Sequence, residues 1–222
     1  MSKGVRISEL YDCKAEHLIP LFERFEYPWE LLLQIKDYIY ELFGEKIEGY
    51  TFLKENVMIG KNVKIHDGVT IEGPAFIGSE SEIRPGAFIR GAVITGKGCV
   101  IGNSSELKNC ILLDRVQVPH YNYVGDSVLG NRAHLGAGSI CSNLKSDGKS
   151  VVIHADKEYE TGLRKVGAFL GDGADVGCGC VLNPGTVIGK NTSVYPLTSL
   201  RGVYPKESIV KSQTETVTKI KK

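Results

Sequence analysis

Two hydrophobic rhythms divide this chain. In the first fifty residues Leu31, Leu32, Ile35, Ile39 and Leu42 recur at three-to-four spacing, the period of a helix packed on one side. Pro28 suits the first helical turn, where its missing N–H has no partner to lose, and Gly44 suits a C-terminal stop. Together they predict a helix over 28–43, and a shorter one is expected over 15–22. From residue 57 the period becomes six. Ile59, Ile65, Ile71, Ile77, Ile83 and Ile89 keep strict register, Thr95 interrupts it, and Ile101 and Leu107 resume it. Leu112, Val118, Val124, Leu129 and Leu135 follow with two steps shortened to five. After a gap, Leu170, Val176, Leu182, Ile188, Val194 and Leu200 return to six.

Neither the helical period of 3.6 nor the strand period of 2.0 fits this second pattern. One inward aliphatic, a short strand and a turn per six residues does. Three such units make a coil of about 18 residues, and stacked coils give three parallel sheets around an aliphatic column. The expected fold class is therefore β, a parallel β-helix of hexapeptide repeats. The expected layout is a helical segment at 1–50, the β-helix at 51–205 and a tail at 206–222 that caps the last coil and leaves it. The charged stretch 143–166 (NLKSDGKSVVIHADKEYETGLRKV) loses the register. It is expected to protrude as a loop or to form a longer excursion between coils, and long loops on rigid scaffolds tend to carry function.

Composition narrows the picture. The chain has 222 residues and 26 glycines, which fits a backbone that turns often. With 27 basic and 26 acidic residues the net charge is +1, which points away from nucleic acid or an anionic membrane as main partner. The start, MSKGVRISEL, lacks the apolar core of a signal peptide, so a cytoplasmic protein is expected. Six cysteines are scattered without disulfide spacing, and Cys178-Gly-Cys180 has no second pair to complete a zinc site. No metal is expected.

Three segments carry a resemblance: Gly-Asn-Ser-Ser-Glu-Leu-Lys at 102–108, His-Tyr-Asn-Tyr-Val-Gly-Asp at 120–126 and Leu-Gly-Ala-Gly-Ser-Ile at 135–140. They are similar to the acetyltransferase domain of the bifunctional N-acetylglucosamine-1-phosphate uridylyltransferase / glucosamine-1-phosphate acetyltransferase family. The stretch Gly162–Asp172 resembles the related sugar-1-phosphate nucleotidylyltransferase / amino-sugar acetyltransferases, and Tyr27-Pro-Trp-Glu-Leu-Leu32 resembles their interdomain linker. The resemblance implies a left-handed β-helix, a homotrimer with intersubunit sites, acetyl-coenzyme A as cosubstrate and an amino-sugar 1-phosphate as acceptor. The glycine-rich nucleotidyl-transfer motif has no counterpart in this sequence, so uridylyl transfer is expected to be absent.

N-acylation needs a base for the attacking amine and a donor for the thioester oxyanion. His120 stands in the sequence context of the family's catalytic histidine, and Glu106 matches a glutamate one coil earlier that could orient the substrate or His120. Cations are expected around the substrate phosphate. Lys108 follows the inward Leu107, and Arg90 follows Ile89 one coil of 18 residues earlier. The family's arginine motif reads here as Arg84-Pro85-Gly86-Ala87, so spacing selects Arg90 and the motif selects Arg84. Tyr123 and Asn143 match sugar contacts, and Lys149 lies on the loop that could close over the phosphate. His134 stands where the family has an asparagine, and Leu144 where it has a tyrosine. The His134 change could alter the preferred sugar or supply a second base. Ala137 matches a position beside the pantetheine arm of coenzyme A, and Cys178 falls where the family has a serine. A non-catalytic trimeric subunit that binds sugar phosphate or drives oligomerisation is the alternative of another class. A zinc site like that of trimeric carbonic anhydrases would need three converging histidines, and His66, His120 and His134 lack that spacing.

Overall fold

The inward residues stack in the register that their spacing predicts. In the computed structural model, which describes residues 4–212 and 214–219, a parallel β-solenoid of about nine turns forms, the expected left-handed β-helix fold. Its first face runs from Val57–Gly60 through Ala75–Ile77 and Val93–Thr95 to Ala168–Leu170, Thr186–Ile188 and Val203–Tyr204. The second runs from Lys64–Ile65 through Glu82–Ile83, Val100–Asn103, Gln117–His120 and His134–Leu135 to Asp175–Val176 and Ser193–Val194. The third runs from Thr70–Glu72 and Phe88–Arg90 to Ile140–Cys141, Val181–Leu182 and Ser199–Leu200. Strands Glu106–Leu112 and Tyr123–Leu129 belong to the third face at their start and the first at their end. They cross the corner without a break, which is why the steps from Leu107 to Leu112 and from Val124 to Leu129 are five residues. Asn109 and Asp126 take that corner, both with φ of 47°.

Thr95 stands in the inward stack between Ile77 and Leu112 and is fully buried. Its hydroxyl accepts the Gly78 N–H at 2.9 Å, which removes the cost of burying a bare hydroxyl.

On the first face alone the outward positions are apolar too. Met58, Phe76, Ile94, Ile111, Val128, Phe169 and Val187 are all buried beneath the N-terminal segment and the 143–166 excursion. The segment contributes helices α1 (Ile7–Leu10), α2 (Ile19–Glu23), α3 (Pro28–Leu31) and α4 (Ile35–Gly44). Burial of each aromatic or aliphatic side chain under this cover contributes about 1.5–3 kcal/mol. The helix expected over 28–43 is thus two: Leu32 and Gln34 donate to Trp29 and Leu31, three residues back, and the turn tightens between α3 and α4. The helix expected over 15–22 is confined to α2, residues 19–23.

The charged excursion is a folded hairpin, with Val152–His154 antiparallel to Glu158–Glu160. Val151 and Ile153 are buried, and the Tyr159 ring lies 5.3 Å from Tyr27 and 5.8 Å from Trp29. At the other end, Ser208–Val210 stacks in parallel on Ser193–Val194, and Thr216–Thr218 folds back antiparallel on it. Among the described residues no helix is long and apolar enough to cross a membrane.

Candidate active site

The third face gathers most of the polar residues singled out in the sequence. Leu107 pairs with Ile89 on one side and Val124 on the other, so Arg90 and Lys108 occupy adjacent rungs. Each has a carboxylate partner. Arg90 Nη1 donates to Glu106 Oε1 at 2.6 Å, and Lys108 Nζ lies 3.8 Å from Asp126 Oδ2. Glu106 therefore turns towards Arg90. In the register Glu106 faces Tyr123 across the rung.

Asp126 is the member that sequence reasoning missed. It is buried at the corner, accepts hydrogen bonds from Asn143 Nδ2 and, at 2.8 Å, from Asn109 Nδ2. Asn143 Nδ2 also donates to the Tyr123 hydroxyl at 3.2 Å. Asn109, Asp126 and Asn143 recur every 17 residues, and that repeat of Asx residues was the available signal. Partial burial raises the Tyr123 phenol above its ordinary value, opposed by the Asn143 hydrogen bond, so the hydroxyl stays protonated near neutral pH. Gly125 lies beneath this pair. A Cβ there would sit 2.5 Å from the Tyr123 hydroxyl and 2.7 Å from Asn143 Nδ2, so a bare backbone is what lets both polar tips fold over the strand.

His120, Ala137 and Cys178 line the corner between the second and third faces, one per coil. Gly138 N–H donates to His120 O at 3.0 Å, and Gly179 N–H donates to Ala137 O at 2.8 Å. His120 is exposed, and its backbone N–H donates to Asn122 Oδ1 at 3.1 Å. Asn122 is buried and fastens this corner to the next coil by donating to Gly136 O and Ser139 O. It positions the turn that carries His120, and sequence reasoning did not single it out. Cys178 is exposed while Cys180 is buried, so the close cysteine pair is split between surface and core.

Three residues lie apart from this group. Arg84 is on the second face, where Glu82 accepts from its guanidinium at 3.3 Å and lies 3.1 Å from His66 Nε2. The two partners hold the Glu82 carboxyl below its ordinary range, Arg84 more than His66. His134 is also on the second face, between Gln117 and Asp175, with Nδ1 2.8 Å from Asp175 Oδ1. Lys149 is exposed on the excursion, and its backbone N–H donates to Asp147 at 3.0 Å.

Comparison with known proteins places these features beside relatives. Residues 71–158 match the family model described as the GMPPB C-terminal domain. The bifunctional protein GlmU of Methanococcus aeolicus is 31% identical over 87% of this chain and 55% of its own length. A bifunctional sugar-1-phosphate nucleotidylyltransferase/acetyltransferase of Sulfurisphaera tokodaii is 36% identical over 64% of this chain and 40% of its own length. The chain thus spans about half the length of the relatives it matches. Among solved structures, AntD, an N-acyltransferase from Bacillus cereus in complex with dTDP-4-amino-4,6-dideoxyglucose and coenzyme A, overlaps 80% of this chain and 93% of its own, with 14% identity and a TM-score of 0.39. The acetyltransferase domain of PglB from Neisseria gonorrhoeae, in complex with acetyl coenzyme A, overlaps 71% of this chain and 55% of its own, with 12% identity and a TM-score of 0.35.

Proposed function

We propose that this chain, related over most of its length to the GlmU-like bifunctional proteins, is a homotrimeric N-acetyltransferase that moves acetyl from acetyl-coenzyme A to the amine of an amino-sugar phosphate. The observation that carries the reading is that exposed His120 ends the strand that turns directly into Tyr123 of the Glu106–Tyr123–Asn143 group, with Lys108 on the strand of Glu106 and Arg90 one rung before it. A neutral imidazole suits proton removal near pH 7. The amine nitrogen attacks the thioester carbon, His120 takes the ammonium proton, the C–S bond breaks, and the proton passes to the departing thiolate. Tyr123 and Asn143 offer hydrogen bonds to the sugar. Arg90 and Lys108 meet the phosphate, which competes with Glu106 and Asp126 for them.

Ala137 and Cys178, on the two rungs after His120, give coenzyme A a shallow edge to approach. In the trimer a neighbouring subunit would close this edge. Tyr121 and Leu197 on the same corner, 63% and 84% exposed, are the apolar side chains such a neighbour would cover. Lys149 is assigned to the phosphate end on the excursion.

Thiol release from acetyl-coenzyme A, measured across a panel of amino-sugar phosphates, tests the reading. At least one acceptor is expected to release thiol with one N-acetyl product per thiol. Binding of sugar phosphate with no thiol released by any acceptor would favour a non-catalytic subunit instead.

A further inference from the structure

Asp126 is only 5% exposed, so it acts on a ligand of the third face through the residues it holds. Its two oxygens take one side-chain amide each. Asn109 Nδ2 donates to Oδ1 at 2.8 Å, and Asn143 Nδ2 donates to Oδ2. A carboxylate has no hydrogen to give. An amide oxygen turned towards it would set two acceptors against each other, so Asp126 dictates which way both amides lie.

The consequence falls on Asn143 and Tyr123. The Asn143 amide has two hydrogens, and both are used: one goes to Asp126 Oδ2 and one to the Tyr123 hydroxyl oxygen at 3.2 Å. Asn143 Oδ1 is left as an acceptor without a hydrogen bond among the described residues. Tyr123, having accepted, keeps its own hydroxyl hydrogen to donate. Both side chains are half-buried on the third face, so a donor and an acceptor stand side by side at its surface. A sugar hydroxyl satisfies both, because it gives one hydrogen and accepts another. An ether oxygen has no hydrogen for Asn143, and an ammonium group has no lone pair for Tyr123.

The backbone fastens the same pair. Gly167 N–H donates to Asp126 O at 2.7 Å, and Val166 N–H donates to Asn143 O at 3.0 Å. The excursion leaves the coils at Asn143 and returns beside it, which fixes the Asn143 backbone while Asp126 sets its side chain. We propose that Asp126 is a positioning residue for acceptor recognition, holding the Asn143 amide so that Tyr123 donates to, and Asn143 accepts from, one hydroxyl of the sugar. This rests on the acyl-transfer reading of the third face and adds the donor–acceptor order by which that face selects its acceptor.

Isothermal titration of the full chain with glucosamine 1-phosphate and its galactosamine and mannosamine epimers tests it. Wild type, Asp126→Asn, Asn143→Ala and the double variant are compared with the epimer that binds best. Each single substitution should weaken binding about tenfold, and the double variant should bind no more weakly than Asn143→Ala, because Asp126 acts through Asn143. Asn143→Asp keeps an oxygen in place but has no hydrogen for Asp126 or Tyr123, so it should bind as weakly as Asn143→Ala. That half-buried position keeps the test open if Asp126→Asn does not fold. Acetyl-coenzyme A binding should be unchanged throughout. Among the monodeoxy forms of that epimer, one should bind wild type about tenfold more weakly and be indifferent to Asp126→Asn. Losses that add in the double variant, wild-type binding by Asn143→Asp, or deoxy forms that all feel Asp126→Asn alike overturn the proposal. No binding of any epimer overturns it together with the acceptor reading. Thiol release from acetyl-coenzyme A tells the two apart. Non-additive binding losses in a protein that releases no thiol remove the acyl-transfer reading and leave the role of Asp126 standing. Thiol release with additive losses removes the role of Asp126 alone.

Discussion

Arg84 and Arg90 show how a single side chain's role depends on coil register. The local motif favours Arg84, and the 18-residue coil favours Arg90. The two lie on different faces, with Arg84 held by Glu82 and Arg90 next to Lys108. For a phosphate acceptor, Arg90→Ala is expected to raise KM about tenfold or more with a smaller change in kcat, because it removes binding common to ground and transition states. Arg84→Ala should leave KM nearly unchanged. Initial-rate kinetics on both variants checks this, and a larger KM effect at Arg84 would contradict the phosphate assignment.

His17 supplies a second test at this scale. Its ring packs 5.0 Å from Phe76 and 5.8 Å from Tyr50, and its buried Nε2 has no hydrogen-bond partner among the described residues. Burial lowers its pKa from the ordinary 6.5, with Asp114 and Glu16 opposing in part. The unfolded chain therefore takes up a proton below about pH 6.5 that the folded chain resists. Stability is full above that pH and falls as pH drops through it towards the lowered folded value. Melting temperatures between about pH 7.5 and 5 should fall more steeply for the wild type than for His17→Leu, and parallel curves would refute the point.

At the scale of elements, the large inward aliphatics were legible, because one aliphatic per six residues has no other economical explanation. Their small partners in the core, such as Ala75, Cys99 and Ala174, were not read from that period, and Ile65 in the first coil is exposed. The cover on the first face was not read from that period. Its signal is a doubled apolar pair once per coil, as in Phe76-Ile77, Ile111-Leu112, Phe169-Leu170 and Val187-Ile188, where the first member points outward under the cover. A search for one inward residue per six passes over the other. The packing of the excursion was not read for a related reason: its charges dominate the composition, while the few side chains that fasten it, Val151, Ile153 and Tyr159, are spread between them. In the candidate site His120, Glu106, Tyr123 and Asn143 were legible through local motifs, whereas Asp126 and Asn122 act at corners that only the stacking of coils brings against their partners. The cover makes its own prediction. Phe76 is fully buried, with the Tyr50 ring stacked at 4.6 Å and the His17 ring of the N-terminal segment at 5.0 Å, so Phe76→Ala should cost about 3–5 kcal/mol. Chemical denaturation checks this, and a loss under about 1 kcal/mol would mean that the helical cover is not part of the cooperative fold.

The whole molecule is a three-faced solenoid whose first face is covered by the N-terminal segment and the excursion. The covered face fixes the N-terminal segment and the excursion together through Tyr27, Trp29 and Tyr159. The third face carries the polar cluster, and its corner with the second face carries His120. On the proposed acetyltransferase reading, that division would hold an acceptor along one face and a thioester along one edge, with a neighbouring subunit completing the edge. Thiol release under saturating acetyl-coenzyme A and an accepted amino-sugar phosphate, compared between wild type and His120→Ala, tests this most directly. If His120 is the base, kcat should fall by roughly a hundredfold or more, with KM for both substrates little changed, since a general base acts in the transition state. Unchanged turnover in His120→Ala, in a protein that melts like the wild type, would contradict the account.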